Sequence, residues 1–231
     1  MKRVLKGAEP AELRRWKEDN LTVPQNLTYG ALGGAVNRAI RQQMILEQGY
    51  LCAYTMLRID SIDDSHVEHI VPQSQQPISH ERDIDYQNML ACYPGRAPDP
   101  RRFNVRYPYG ARCKNGAPVD EANFVSPLQE NVETRFTYAA NGTVGADGND
   151  IPALNSIKLL RLNHGILNDL RRAAIDERVF AEPLSAQDVA ELADVAMMAD
   201  STGKLPEICL AISQTAKWYA NALSSFHRAN H

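Results

Sequence analysis

The residues best suited to chemistry stand in one short string, HVEHIVPQS, which begins at His66. Glu68 directly precedes His69, and His66 lies two positions before Glu68. An imidazole changes its protonation state near neutral pH, and a carboxylate oxygen is a good ligand for a hard divalent cation. The string therefore brings together groups that can move a proton and groups that can bind a metal ion.

The geometry of a β-strand sets a condition on these residues. Neighbouring side chains on a strand point to opposite faces, whereas His66 and Glu68 would share a face. Glu68 and His69 can face one site only if the backbone turns or bulges there. Pro72 is expected to end the strand, because proline cannot donate a hydrogen bond to a neighbouring strand. Downstream, Asn88 precedes an apolar Met-Leu pair.

The string HVEHIVPQS and the later string YQNMLACY resemble the (D/E)-H-I-x-P … N-L core of HNH endonucleases. The wider chain is similar to the branch of that family found in retron and Septu-type anti-phage systems. The similarity covers roughly residues 1 to 180 and includes LEQGYLCAYTM, DIDYQNMLACYPG, YGARCKNG and FVSPLQENVETRFTYAANG. This extended pattern is specific, whereas EHIV alone would be weak support.

The resemblance implies a metal-dependent nuclease. His69 would be the general base that deprotonates water, and Glu68 would hold one Mg²⁺ or Mn²⁺ ion. Asn88 would orient the base or brace its loop. By a loose alignment Asn115 takes the third motif position as a further metal ligand, with a simple Asn-Gly turn as the alternative. His66 would be a second ligand or a phosphate contact.

A basic segment follows the motif. Between residues 96 and 114 six cations stand against the single acid Asp99, although the whole chain has a formal charge of −3. Aromatic residues alternate with these cations, which favours a nucleic-acid surface over its alternative, a solvated loop. The predicted nucleic-acid contacts are Arg96, Arg101, Arg102, Arg106, Arg112 and Lys114.

The four cysteines lack the spacing of a disulfide scaffold, so we expect reduced thiols and a cytoplasmic location. Many HNH relatives carry two Cys-x-x-Cys pairs that bind a structural zinc ion. Here the first pair reads CAYT from Cys52, and its second thiol is missing. We therefore expect no structural zinc, although Cys52, Cys92, Cys113 and a histidine remain an alternative ligand set. No apolar run approaches the ~20 residues of a membrane span.

The remaining chain must position these residues. Hydrophobic periodicity and capping signals predict helices, and the dipeptide at Asn141 predicts a β-hairpin. The predicted helices cover residues 11–19, 35–48, 153–162 and 165–180, a segment that starts at the S-x-x-D of Ser185, and residues 206–222.

The sequence thus predicts an α+β fold, in which a ββα-metal (HNH) nuclease core is flanked by N-terminal and C-terminal α-helices. The predicted segments are 1–49 (N-terminal helical), 50–150 (nuclease core with the hairpin) and 151–231 (C-terminal helical), packed as one compact unit. Hydrophobic residues make up 44% of the chain, which is typical of a protein with a core.

The resemblance also implies partners. Such nucleases act as the effector beside an ABC/SMC-like ATPase, in some systems with a retron, and stay restrained until infection. The sequence leaves DNA or RNA (including tRNA) open as the substrate. Two alternatives remain: a catalytically inactive HNH-fold module that binds nucleic acid or a partner, and a zinc-dependent structural protein built on the thiols.

Overall fold

The computed structural model describes residues 1–75, 82–95 and 108–229. Within these ranges the fold is mixed α and β, with seven α-helices and two small antiparallel sheets, as predicted at this level of detail. The helices are α1 (Ala11–Asp19), α2 (Gly34–Glu47), α3 (Ala111–Lys114), α4 (Ile151–Leu159), α5 (Gly165–Ile175), α6 (Ala186–Val195) and α7 (Cys209–Ala229). The strands are β1 (His66–His69), β2 (Met89–Cys92), β3 (Phe136–Tyr138) and β4 (Val144–Ala146).

The first sheet carries the chemical motif. β1 and β2 pair in antiparallel register, with His66 opposite Cys92 and His69 opposite Met89. Every residue of β2 is buried, whereas most of β1 is half-buried. β1 ends at His69, shortly before Pro72, as the sequence predicts. The sheet therefore has one strand in the core and one strand that borders solvent.

The second sheet is the predicted hairpin of β3 and β4. Its turn contains Asn141 and Gly142, and Gly142 has a φ of +82°. A Cβ atom on Gly142 would lie 2.0 Å from the carbonyl oxygen of Asn168. The close approach of α5 and the positive φ together explain why glycine stands at this turn.

One cluster of buried hydrophobic side chains joins the chain from its first residues to its last helix. It includes Val4, Leu13 in α1, Met89 in β2 and Ile212 in α7. α6 packs along α7 and begins with a capping box, in which Ser185 and the side chain of residue 188 bind each other's backbone amides. No α-helix in the described ranges combines the length and apolarity needed to cross a membrane.

The helices of the C-terminal half differ from their predicted bounds. α4 covers Ile151–Leu159 rather than residues 153–162, and α7 extends to Ala229 rather than ending at residue 222. The helix predicted over 165–180 is α-helical to Ile175 and continues as a π-helical turn over Asp176–Phe180. The last helix begins at Cys209 rather than residue 206, because Ile208 adopts a left-handed backbone with a φ of 57°. A β-branched residue in that conformation interrupts a right-handed helix.

Candidate active-site cleft

His66, Glu68 and His69 line one cleft of about 1050 Å³. The short helix α3 and the turn that follows it line the same cleft. β1 continues through His69 in regular register, with Glu68 opposite Leu90 and His69 opposite Met89, so no bulge separates the two residues. Both residues nevertheless line the cleft.

The His69 ring is buried, with 8% of the residue exposed. Its Nε2 lies 2.8 Å from the backbone carbonyl oxygen of Asp83, which only accepts hydrogen bonds. Nε2 therefore carries the proton, and Nδ1 keeps its lone pair in the neutral ring. The ring of Tyr29 packs edge-on against it, with centroids 5.0 Å apart. Burial lowers the pKa of His69, which favours the neutral form that can accept a proton.

Asp83 was missed by the sequence reasoning. Its carboxylate is buried, accepts hydrogen bonds from the Tyr29 N–H at 2.7 Å and from the side chain of Gln73, and lies 3.8 Å from His69 Nε2. Asp83 thus holds the imidazole through its backbone carbonyl oxygen, and its carboxylate adds a negative charge close to the ring. The one signal in the sequence was an acid that opens the DIDYQN string before Asn88.

Asn88 joins the two loops at one end of the first sheet. Its Oδ1 accepts from the Val71 N–H at 2.8 Å, and its Nδ2 donates to the carbonyl oxygens of Val71 and Arg82, both at 3.1 Å. The Ile70 N–H in turn donates to the Asn88 carbonyl oxygen at 2.8 Å. These bonds join the loop that follows His69 to the segment that holds its hydrogen-bond partner.

Glu68 faces a cation from α3. Lys114 Nζ lies 2.6 Å from Glu68 Oε1 and donates to the carbonyl oxygens of His69 at 2.5 Å and Ile70 at 2.9 Å. Oε1 is buried and makes no aligned hydrogen bond, so this short contact is an ion pair. Burial raises the pKa of Glu68, and Lys114 acts against that rise.

Lys114 does not lie on the exposed basic surface for which it was predicted. Only 3% of the residue is exposed, because three oxygens of β1 and the following loop bind its ammonium group. A contact between Lys114 and nucleic acid stays a prediction. The sequence offered no signal for the ion pair, since Lys114 and Glu68 are far apart along the chain.

His66 and Asn115 also lie at the cleft. His66 Nδ1 lies 2.6 Å from the carbonyl oxygen of Pro94, so it carries the proton and leaves a lone pair on Nε2. Burial lowers the pKa of His66 from 6.5 to about 4. Asn115 directly follows α3, is exposed and has a left-handed backbone with a φ of 41°. Both predicted ligands therefore line the same cleft as Glu68, one on the same strand and one directly after α3.

Glu68 and His66 are the donors that this part of the cleft would offer a divalent metal ion. Glu68 Oε1 is a buried oxygen without an aligned hydrogen bond, and His66 keeps an imidazole lone pair on the same strand. Within the described ranges no group of three or more His, Cys, Asp and Glu residues is arranged to hold a metal ion. An ion here would keep several water ligands, as Mg²⁺ commonly does. It would also have to compete with Lys114 for Glu68.

Two arginines add positive charge to the cleft lining. Arg112 belongs to α3 and was predicted, whereas Arg161 was not. Arg161 lies just beyond α4, exposed and with a φ of 48°. Because Arg161 is far from the motif along the chain, no local sequence pattern predicts that it lines the cleft. The other predicted contacts, Arg96, Arg101, Arg102 and Arg106, lie outside the described residues.

All four cysteines are free thiols. Cys52 and Cys92 are buried and their side chains form a hydrogen bond, while Cys113 lines the cleft and Cys209 is buried in α7. Cys52, whose Cys-x-x-Cys partner is missing from the sequence, thus has Cys92 of β2 as a neighbour.

We expect the protein to lose stability as the pH falls from about 6.5 to about 4. The folded-state pKa values of His66 and His69 lie below the usual 6.5, so the unfolded chain binds more protons in this interval. The contribution of the two histidines to stability is fully present above pH 6.5 and is lost as the pH falls through the lowered pKa values. Thermal unfolding in EDTA across this pH range measures the loss of stability. In His66→Gln stability should fall less steeply with pH. An equally steep fall would show that His66 does not cause it.

Comparison with models of known protein families gives no match for this chain. Comparison with curated proteins gives no significant match either. A functional assignment therefore depends on the HNH-like motif and on the arrangement of side chains around the cleft.

Proposed function

We propose that this chain is a metal-dependent HNH endonuclease that hydrolyses phosphodiester bonds of nucleic acid in the cleft between β1 and α3. One observation carries the proposal. A buried imidazole with a lowered pKa, held by a carbonyl at Nε2, directly follows Glu68 in the chain, and both residues line the cleft. In this proposal β1, β2 and α3 are the two strands and the helix of a ββα-metal core.

His69 is the general base of the proposed reaction. Its Nδ1 takes a proton from a water molecule, whose oxygen forms a bond to phosphorus. The bond from phosphorus to the 3′-oxygen breaks, and that oxygen takes a proton from solvent. The products carry 5′-phosphate and 3′-hydroxyl ends. The Asp83 carboxylate, 3.8 Å from Nε2, stabilises the imidazolium that forms.

A bound Mg²⁺ or Mn²⁺ ion would neutralise charge on the phosphate and on the leaving oxygen. Glu68 is the principal ligand we assign to it, with His66 and Asn115 as further donors. Arg112 and Arg161, which line the cleft, would contact neighbouring phosphates and so position the strand without reading its sequence.

The cellular setting is proposed from the resemblance alone. The nuclease would be a cytoplasmic effector of an anti-phage system that acts with an ABC/SMC-like ATPase, in some systems together with a retron. Its substrate would be DNA or RNA, because the proposed chemistry does not use the 2′-hydroxyl group.

A cleavage assay tests the proposal. Purified protein is incubated with plasmid DNA or with total tRNA, in Mg²⁺, Mn²⁺ or EDTA, and a second series adds the ATPase encoded beside it. We expect cleavage that depends on the metal ion. The nucleic acid that is cleaved shows whether the substrate is DNA or RNA. Cutting only in the second series would support a restrained effector.

The second candidate function is a catalytically inactive HNH-fold module that binds nucleic acid or a protein partner. One observation favours it: Lys114 already neutralises Glu68, the proposed metal ligand. Nucleic-acid binding without cutting in both series of the assay would support this alternative and would contradict the nuclease.

A further inference from the structure

Lys114 is held in the interior by the chain on the other side of the cleft. A buried ammonium group is costly unless it is paired and hydrogen-bonded. Here the carboxylate of Glu68 and the carbonyl oxygens of His69 and Ile70 meet it within 2.9 Å. These oxygens belong to the end of β1 and to the residue that follows it, where the proposed base lies.

The ammonium group lies where a metal ion on Glu68 would lie. Lys114 Nζ is 2.6 Å from Glu68 Oε1, and divalent ions bind carboxylate oxygens at about 2.0 to 2.6 Å. Two cations cannot occupy this space, since they would overlap and repel each other. A metal ion can therefore bind Oε1 only after Lys114 Nζ has moved away from it.

We propose that Lys114 is the resident counter-ion of Glu68, and that a divalent cation can bind Oε1 only by displacing it. Lys114 thereby lowers the affinity of the cleft for the ion. The inference rests on the proposed function, since it takes Glu68 as the ligand of the ion. Because Lys114 also binds the carbonyl oxygen of His69, its displacement is coupled to the segment that carries the base.

Mn²⁺ binding to the free protein tests the inference without nucleic acid. Calorimetric titration, or the paramagnetic resonance signal of free Mn²⁺, gives the dissociation constants of the wild type and of Lys114→Met. We expect Lys114→Met to bind Mn²⁺ about tenfold more tightly or better, because one positive charge beside the ligand is gone. An unchanged dissociation constant would overturn the inference.

Two further variants show where the ion binds. Lys6 is a matched control, because it is equally buried in a pair with Glu47 at 3.6 Å and also binds a backbone carbonyl oxygen. Lys6→Met should leave Mn²⁺ affinity unchanged. The double variant Glu68→Gln with Lys114→Met should not show the increase in Mn²⁺ affinity. An increase that persists in this double variant would show that the ion binds elsewhere and would contradict the proposal.

Lys114→Met leaves a buried carboxylate without its partner, so its folding is measured in the same samples. Mn²⁺ should raise the thermal midpoint of Lys114→Met more than that of the wild type, since the ion binds only the folded state. Failure of the two proposals is distinguishable. Tighter Mn²⁺ binding without nuclease activity supports the counter-ion and rejects the nuclease, whereas cleavage with unchanged affinity does the reverse.

Discussion

Replacing His69 with alanine should lower the rate of nucleic-acid cleavage by about 10²- to 10⁴-fold. The substitution removes the imidazole that we assign as the general base. Glu68 and the arginines of the cleft remain, so substrate and metal binding should persist. Single-turnover cleavage rates at saturating enzyme measure the effect, and binding of a labelled substrate in EDTA is measured beside them.

His164 provides a matched control for this substitution. It is half-buried, packs against Tyr109 and caps α5 rather than lining the cleft. His164→Ala should cleave at close to the wild-type rate. Cleavage by His69→Ala at the wild-type rate would show that another group activates the water molecule.

The second large effect is expected on stability. Replacing Asn88 with alanine should lower the free energy of unfolding by about 2 to 4 kcal/mol, because it leaves buried backbone groups without partners at about 1 to 3 kcal/mol each. Asn88 is 6% exposed and makes three side-chain hydrogen bonds to the backbone of Val71 and Arg82. Chemical denaturation of the wild type and the variant measures the difference.

Cleavage should fall as well in Asn88→Ala, because the loop after His69 loses its brace. Asn163 offers a control with the same bonding pattern, since its side chain accepts from the Val144 N–H and donates to the Val144 carbonyl oxygen, each at 2.8 Å. It is exposed, so Asn163→Ala should cost less stability and leave the cleavage rate unchanged. Equal losses of activity in the two variants would contradict the positioning role of Asn88.

Local sequence signals predicted several elements closely. α1 covers the predicted residues 11–19, and the Asn141-Gly142 turn forms the predicted hairpin. The capping box at Ser185 begins α6. These features depend on interactions between residues a few positions apart, so the sequence carries enough information to predict them.

The motif also predicted which residues of β1 would meet. His66 and Glu68 share the cleft because they alternate along one strand, and Pro72 follows the strand end. The sequence stated a condition for His69, namely a turn or bulge after Glu68, and the strand instead stays regular through His69. The surroundings of its ring depend on packing against Tyr29 and Asp83, which belong to distant segments.

Local sequence patterns were enough to predict the mixed α and β composition, the positions of the local elements and the strand that carries the motif. The contacts of His69 with Asp83 and of Glu68 with Lys114, and the position of Arg161 at the cleft, became known from the three-dimensional structure. These contacts form between segments separated by long stretches of chain. The packing of the whole core sets their distances, and no local pattern encodes it.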